Sequence, residues 1–248
     1  MQSHQNLSDF IARLSGSHHF ILDYLTNEVL QRLPRPIQSF LLQTAVLDRL
    51  SASLCDAVTG RDDSAAVLQH LYASNAFVIS LDDERLWYRY HHLFADLLRH
   101  QLARTQPERA PLLHQRASEW YEQQGDVAEA IEHAFAAQDY ERAVRLLDVH
   151  ARSTVLQGYA QTVETWLQRL PLDWQTTGPR ARLAFAWSLL LRGQLELIEP
   201  HLRAVEATVE TGVVAGETDA QAMLAETLAL RALARPGAAL AARLRGRG

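Results

Sequence analysis

The residues with the clearest chemical potential are two adjacent histidines in the string Tyr90-His91-His92-Leu93. A histidine side chain can bind a metal ion, move a proton or donate a hydrogen bond to a phosphate. Neighbouring side chains at a junction between a strand and a helix point in different directions, and no nearby cysteine or acidic trio completes a metal shell. We therefore expect no metal site here, and the residues alone favour a histidine that caps the helix.

Other reactive residue types have simpler structural explanations. Asp82, Asp83 and Glu84 form a carboxylate cluster, but they fall in a predicted polar turn, where such residues are solvated. Cys55 lies in an apolar stretch and is expected to be a small buried residue. No nucleophile motif such as GxSxG is present. Because the sequence has no lysine, it can form neither a P-loop nor a Schiff base, and we predict no catalytic residue.

Composition limits the class of protein and its partners. A chain of 248 residues that is 48% hydrophobic can build one large domain or two to three small ones. A formal net charge of -5 without a long run of one sign argues against nucleic acid as a direct partner. The single cysteine excludes an internal disulfide and fits a reducing cytoplasm. No apolar run approaches the roughly 20 residues of a membrane span, so we expect a cytoplasmic protein without membrane contact.

The first half of the chain has the element order of a winged helix. Apolar residues at helical spacing predict four helices, which cover residues 20–33, 37–47, 53–58 and 64–74. Ser53 is the expected N-cap of the third helix, and Gly60 is its expected C-terminal stop. Two strands at residues 76–81 and 86–90 flank the polar turn and predict the one β-hairpin. A helix with apolar residues from Leu93 to Leu102 follows, which completes a winged-helix plan.

The predicted recognition helix of this winged helix, at residues 64–74, has no arginine or lysine. A helix that enters the major groove normally has some basic residues. We therefore expect no direct DNA binding by this chain.

Beyond Pro107 the chain is predicted to form helices of roughly 10 to 15 residues with short breaks, a pattern typical of stacked helical hairpins. The turns at residues 125–130 and 138–143 are similar, and Arg192-Gly193 lies in an equivalent turn. Such turns indicate tetratricopeptide-like units, in which small alanines let helices approach. Large aromatic residues are expected to fill the space between layers, namely Trp120, Tyr121, Trp166 and Trp187. The predicted fold class is mainly α, a winged-helix domain with one β-hairpin followed by stacked helical hairpins.

Several strings carry a resemblance to a known family. The most specific is WYRYHHLFADLL at residues 87–98, joined by LCDAVTG at residues 54–60, WYEQQG at residues 120–125 and EAIEHA at residues 129–134. On these strings the chain resembles the MalT-like, LuxR-type ATP-dependent transcriptional regulators, which belong to the STAND class of signal-transduction ATPases. The similarity covers about residues 15–207.

The resemblance implies a domain order. In that family a nucleotide-binding domain precedes the winged helix, a tetratricopeptide-like sensor follows it, and a LuxR-type helix-turn-helix ends the chain. Residues 1–34 would then be the last helix of the ATPase module and residues 35–105 the winged helix. Residues 106–172 would be helical hairpins, and residues 173–248 the start of the sensor repeats. Residues 235–248 lack the apolar spacing of another repeat, so we expect a truncated or out-of-frame end there.

The resemblance also implies a function, which is that of a non-catalytic regulatory fragment. It would couple the nucleotide state of an ATPase domain, missing here and acting in cis, to repeats that sense an inducer small molecule or a regulatory protein. No cofactor is expected in this fragment, whereas ATP or ADP is expected for the full-length protein.

The family resemblance gives His91 a specific role. In STAND relatives the winged helix has a Met-His-Asp motif, and its histidine reaches the β-phosphate of bound ADP in the inactive state. His91 stands in the place of that histidine, while Tyr90 and His92 replace the Met and the Asp. The resemblance thus implies ADP phosphate sensing by His91 in the intact protein.

Two other functions stay open. A free-standing tetratricopeptide-like adaptor would bind other proteins in its concave surface without a link to transcription. An enzyme is the third option, and it requires a buried acid-base pair that the sequence does not reveal.

Overall fold

The computed structural model describes residues 30–74, 77–171, 178–212 and 216–234. Residues 20–29 of the helix predicted at residues 20–33, and the predicted irregular end at residues 235–248, lie outside the described residues. Two compact units form, and the boundary between them falls between Ala137 and Gln138.

The first unit has the predicted order of three helices, a hairpin and a closing helix. Its elements are α1 (Arg35–Thr44), α2 (Ala52–Thr59), α3 (Ser64–Ala73), β1 (Val78–Ser80), β2 (Tyr88–Tyr90), α4 (His92–Thr105), α5 (Ala110–Gln124) and α6 (Val127–Ala136). The strands are antiparallel, with Val78 opposite Tyr90. Leu50 adds a bridge on the other side of β2, through two backbone hydrogen bonds of 2.8 Å to Tyr88. The predicted winged-helix fold is confirmed.

The core of the winged helix lies between its helices and β2. Its largest fully buried side chains are Phe40, Leu41, Leu50, Leu54, Leu68, Leu71, Phe94 and Leu98. Within this core the hydroxyls of Tyr90 and Thr44 are 2.6 Å apart, and that of Thr44 also donates to the Phe40 carbonyl at 2.7 Å. The Tyr90 hydroxyl is therefore the donor to Thr44, and this hydrogen bond links β2 to α1. Burial raises the pKa of Tyr90 well above its usual range.

The ends of α2 are set by short side chains and by glycine. Ser51, rather than the predicted Ser53, is the N-cap, because its hydroxyl accepts from the Leu54 N–H at 3.3 Å. Ser53 lies one residue inside the helix, where its side chain cannot reach that N–H. Gly60 ends the helix with φ 72°, a left-handed conformation that favours glycine, as the sequence predicts.

The similar turns of the second half share a backbone conformation. Gly125 (φ 78°) and Gln138 (φ 58°) both adopt the left-handed region directly after a helix. The Asp139 side chain then caps the next helix by accepting from Arg142 N–H at 3.0 Å. The alanines that close the two turns, Ala130 and Ala143, are fully buried, so they let neighbouring helices approach closely.

The second unit consists of stacked helices around one central helix. Its elements are α7 (Tyr140–Leu156), α8 (Ala160–Arg169), α9 (Pro179–Leu191), α10 (Ile198–Glu210) and α11 (Glu217–Leu233). Helix α9 contacts the other four helices. It is buried on nearly every side, and Phe185 and Leu189 are among its buried residues. Arg231 of α11 ties that helix to α10 by ion pairs to Glu199 (3.0 Å) and Glu206 (2.7 Å).

We expect Tyr90→Phe to lower the free energy of unfolding by about 1 kcal/mol, because it removes a buried hydrogen bond and leaves the ring packing intact. Urea unfolding followed by circular dichroism measures the change. Tyr159→Phe is the control, since Tyr159 is exposed. Equal effects of the two substitutions would contradict a role for the Thr44–Tyr90 hydrogen bond in stability.

Candidate functional site

His91 joins the hairpin to α4 through its backbone. Its N–H donates to the Phe77 carbonyl at 2.7 Å, and its carbonyl accepts from the N–H groups of Phe94 and Ala95 at 2.9 Å. His91 is the N-cap residue of α4, but its side chain makes no capping hydrogen bond. Its ring lies beside that of His92, with centroids 4.3 Å apart. The ring is half-buried, and neither of its nitrogens has a hydrogen-bond partner among the described residues.

The other residues considered from the sequence have structural roles. Asp82 builds the hairpin turn, because its carboxylate accepts from the N–H groups of Leu86 and Trp87 at 2.8 Å each. Asp83 and Glu84 are exposed in the same turn. Cys55 is fully buried, and burial raises the pKa of its thiol well above its usual range, so it is a core residue and not a nucleophile.

A pair of histidines that sequence reasoning missed lies between α5 and α6. The Nδ1 atoms of His114 and His133 are 2.8 Å apart, so one ring donates a hydrogen bond and the other accepts it. The Tyr121 ring stacks on His133 with centroids 5.4 Å apart and an angle of 15°. The two histidines are 19 residues apart on different helices, and no short motif signals such a pair.

Burial keeps this histidine pair neutral. Desolvation, together with the neighbouring His114, lowers the pKa of His133 to about 4. Desolvation also lowers the pKa of His114, and the nearby guanidinium of Arg99 acts in the same direction. The Asp48 carboxylate opposes both shifts. The pair therefore links the two helices as an uncharged hydrogen bond, rather than as an acid-base pair near neutral pH.

Charged and aromatic contacts attach the α5–α6 hairpin to the winged helix. The Arg49 guanidinium lies 5.3 Å from the centroid of the Trp87 ring, a cation–π contact. It also faces the carboxylates of Asp126 at 3.6 Å and Glu129 at 3.9 Å. Trp87 in turn packs edge-on against Trp120 of α5, with centroids 6.3 Å apart. Trp87 of the β-hairpin thus contacts α5 directly, through Trp120. It is linked to α6 through Arg49, which faces Glu129.

A second contact holds α5 against α2. The Arg116 side chain donates to the Val58 carbonyl at 3.0 Å, which satisfies an acceptor in the last turn of α2. Together with the contact at Arg49, it joins the winged helix and the α5–α6 hairpin into one packed unit. A cleft of about 660 Å³ lies between them, lined by residues of α2, α3, the hairpin and α5.

The second unit has a groove of its own, formed by α7, α9 and α11. Its volume is about 620 Å³. Most of its lining is apolar and includes Val149 and Leu156 of α7, Leu183 and Trp187 of α9, and Met223 of α11. The groove is lined by every second helix of the unit, namely α7, α9 and α11. The other two helices, α8 and α10, also pack against α9. Sequence reasoning named Trp187 but assigned it to the core.

Polar side chains at this groove are mostly engaged with each other. Arg180 forms an ion pair with Asp219 at 2.6 Å. An Asp148 oxygen accepts from the N–H groups of Arg180 and Ala181, at 2.7 Å and 3.2 Å, and so caps α9 from a neighbouring helix. These contacts fix the positions of the three helices that form the groove.

The described ranges contain neither a metal-binding cluster nor a membrane-spanning helix. No cluster of three or more histidine, cysteine or acidic side chains is placed to hold a metal ion. No helix in the described part of the chain is long and apolar enough to cross a membrane.

The fold of the first unit, and the contacts of Arg49 and Trp87, define a winged-helix protein whose β-hairpin packs against the following helices α5 and α6. Residues 26–110 match the family described as the MalT winged helix domain. The chain is 31% identical over 185 residues to the HTH-type transcriptional regulator MalT of Vibrio cholerae, and 30% identical over 187 residues to that of Vibrio parahaemolyticus. Each match covers 74% of this chain. The chain therefore belongs to the MalT-like regulators, which confirms that part of the predicted resemblance.

The chain is also similar to part of a protein kinase. The chain is 33% identical over 178 residues, 72% of its length, to the serine/threonine-protein kinase PknK of Mycobacterium tuberculosis. The matched region is 16% of that kinase, and 20% and 21% of the two MalT proteins. The chain thus spans about one fifth or less of the length of these curated relatives.

The buried histidine pair predicts a dependence of stability on pH. Since the folded-state pKa of His133 is about 4 and the ordinary value is 6.5, the unfolded chain binds the proton more readily between these two values. The free energy of unfolding should therefore be unaffected by this group above pH 6.5 and fall as the pH drops from 6.5 towards 4. At pH 5 the loss due to His133 is about 1–2 kcal/mol.

Urea unfolding at pH 7 and pH 5 tests this expectation. His133→Phe keeps a ring against Tyr121 and should reduce the difference in stability between the two pH values. His70→Gln is the control, because His70 is exposed on α3. An unchanged pH dependence in His133→Phe would show that other groups cause it.

Proposed function

We propose that this chain is a non-catalytic regulatory segment of an ATP-dependent, LuxR-type transcriptional regulator. In this proposal the winged helix transmits the nucleotide state of an ATPase domain, and the stacked helical hairpins receive an inducer small molecule or a regulatory protein. The observation that carries it is a MalT-type winged helix that is packed against the following α5–α6 hairpin through Arg49 and Arg116. A movement of the winged helix would carry that hairpin with it.

Features of the winged helix support transmission rather than DNA recognition. Helix α3, in the position of a recognition helix, has no arginine or lysine between Ser64 and Ala73. Arg49 is engaged by Trp87 and by the carboxylates of Asp126 and Glu129. Specific recognition of a duplex requires basic side chains directed at bases and phosphates.

His91 is proposed to sense ADP in the intact protein. Its backbone is used by β1 and α4, whereas its ring nitrogens have no hydrogen-bond partner in the residues that the structure describes. An imidazole N–H is a suitable donor to a phosphate oxygen, so this side chain fits the role. ATP or ADP would supply the signal, and His91 would hold the resting arrangement by one hydrogen bond.

The similarity to a protein kinase does not favour a kinase reaction here. Phosphoryl transfer by kinases uses a lysine that positions the nucleotide phosphates. This chain has no lysine, and it matches 16% of the kinase. The shared segment is more simply a regulatory element that both kinds of protein contain.

A free-standing adaptor is the second candidate, and the groove of α7, α9 and α11 is the observation that favours it. The adaptor would bind a partner protein there without any nucleotide signal. Neighbouring open reading frames distinguish the candidates, because a P-loop upstream or a LuxR-type helix-turn-helix downstream supports the regulator.

We expect this chain by itself to bind neither Mg-ATP nor Mg-ADP, because it lacks the lysine and the phosphate-binding loop of a P-loop. Isothermal titration calorimetry measures this, and micromolar affinity would contradict the proposal. Duplex DNA should likewise not be retained at physiological salt. A salt-resistant gel shift would assign the winged helix to DNA binding instead.

In a version that includes the ATPase domain, we expect His91→Ala to shift the protein from the resting to the active state. A hydrogen bond to a charged phosphate contributes roughly 1.5 to 3 kcal/mol, so the ratio of the two states should change about ten- to a hundredfold. Retention of ADP after purification should fall, and reporter transcription without inducer should rise.

His92→Ala is the matched control for this switch. His92 is an exposed neighbour in the first turn of α4, and its loss should leave ADP retention unchanged. If His91→Ala is folded by circular dichroism, retains ADP and stays silent, then His91 has only a structural role at the start of α4.

A further inference from the structure

We propose that the groove formed by α7, α9 and α11 binds a small apolar molecule that has one carboxylate, which Arg152 recognises. The proposal deepens the sensing role given above to the stacked helical hairpins and rests on it. It names the chemical class of the ligand.

The surface of the groove is unusually apolar for a solvent-exposed site. Val149, Leu156 and Leu191 are 62%, 78% and 82% exposed, and all three line the groove with Trp187. Exposed apolar side chains that line one groove favour binding of an apolar molecule, because their contact with water is unfavourable. A volume of about 620 Å³ falls within the range of roughly 300–1,000 Å³ found for small-molecule sites.

The groove is also built in advance of binding. Trp187 donates its indole N–H to the Glu226 carboxylate at 2.5 Å, which holds the ring in place between α9 and α11. The ion pair of Arg180 with Asp219 ties the same two helices together further along. A preformed site loses little conformational entropy on binding, and therefore favours a small ligand.

Within the described part of the chain, these contacts leave Arg152 as the charged lining side chain without a partner. Asp148, Asp219 and Glu226 all accept hydrogen bonds from groove residues or their backbone. Arg152 lines the groove, and no ion pair or hydrogen bond of its side chain occurs among the described residues. Arg152 is therefore the arginine of the lining that can bind an anionic group, because the other one, Arg180, is already paired with Asp219.

Helix geometry places the guanidinium beside the apolar surface. Arg152 lies three residues after Val149 and four before Leu156, so the three side chains share one face of α7. A planar guanidinium binds a carboxylate through two parallel hydrogen bonds. A molecule with a carboxylate at one end and a hydrocarbon body would satisfy Arg152 and cover the leucines at the same time.

Decanoate is a suitable probe, and calorimetry with the whole chain below the micelle concentration measures its binding. We expect decanoate to bind more tightly than decanol, which has no charge, and decyltrimethylammonium to bind weakest. Arg152→Gln should weaken decanoate binding about tenfold or more, the change expected when one hydrogen bond to a charged group is lost. Arg152→Glu should reverse the preference and favour the cation.

Two further variants test the location. Arg203→Gln is the matched control, because Arg203 is an exposed arginine of α10 that does not line the groove. It should bind decanoate like the parent chain. Ala222→Trp places a large side chain on the exposed face of α11 that lines the groove, and it should abolish binding while circular dichroism stays unchanged.

Three results would overturn the proposal. Equal affinity for decanoate and decanol, or an Arg152→Gln variant that binds like the parent, would remove the carboxylate from the ligand class. Absence of decanoate binding, with binding of an acidic amphipathic helical peptide that depends on Arg152, would assign the groove to a protein partner.

Failure of this proposal and failure of the proposed function are distinguishable. If decanoate does not bind but the His91 variants of the intact regulator behave as expected, only the ligand class is wrong. If decanoate binds but His91→Ala has no effect on ADP retention, the groove is a binding site without the proposed nucleotide coupling.

Discussion

The first unit depends on one interaction, the position of the Arg49 guanidinium between the Trp87 ring and the carboxylates of Asp126 and Glu129. The guanidinium is half exposed, so each ion pair alone contributes little in water. The arrangement nevertheless requires the hairpin turn and the start of α6 to lie on opposite sides of one side chain. Trp120 and Arg116 extend the same interface along α5. A winged helix and a helical hairpin thus behave as one body rather than as two linked modules.

This packing has a consequence for regulation. A winged helix that is joined to the following hairpin can pass a change of position along the chain without any chemistry of its own. Only one side chain at the start of α4, that of His91, is proposed to read the nucleotide, and its backbone is fixed by hydrogen bonds to β1 and α4. A rigid backbone around an available ring gives a contact that forms in one arrangement of domains and breaks in another.

The second unit is organised around its central helix α9, which is mostly buried. Helix α9 packs against α7, α8, α10 and α11, and residues of α9 line the groove together with residues of α7 and α11. The polar contacts at Trp187, Arg180 and Asp148 hold α7 and α11 against α9 in fixed positions. These contacts therefore define the shape of the groove.

The sequence by itself determined the local structure of this protein. Apolar spacing placed the helices, the β-branched and aromatic strings placed the hairpin, and Gly60 marked the end of α2, because these features depend on neighbours within a few residues. The string at residues 87–98 also carried the family resemblance, because it is a continuous stretch of sequence. Only the tertiary structure brought together His114 with His133, Arg49 with Trp87 and Glu129, and Arg152 of α7 with Leu183 of α9 and Met223 of α11 in one groove. These groups come from different turns or helices, and their separation in sequence follows no period. Whether a histidine is buried and neutral, or an arginine is left without a partner, is decided by the packing of helices, which local spacing does not encode.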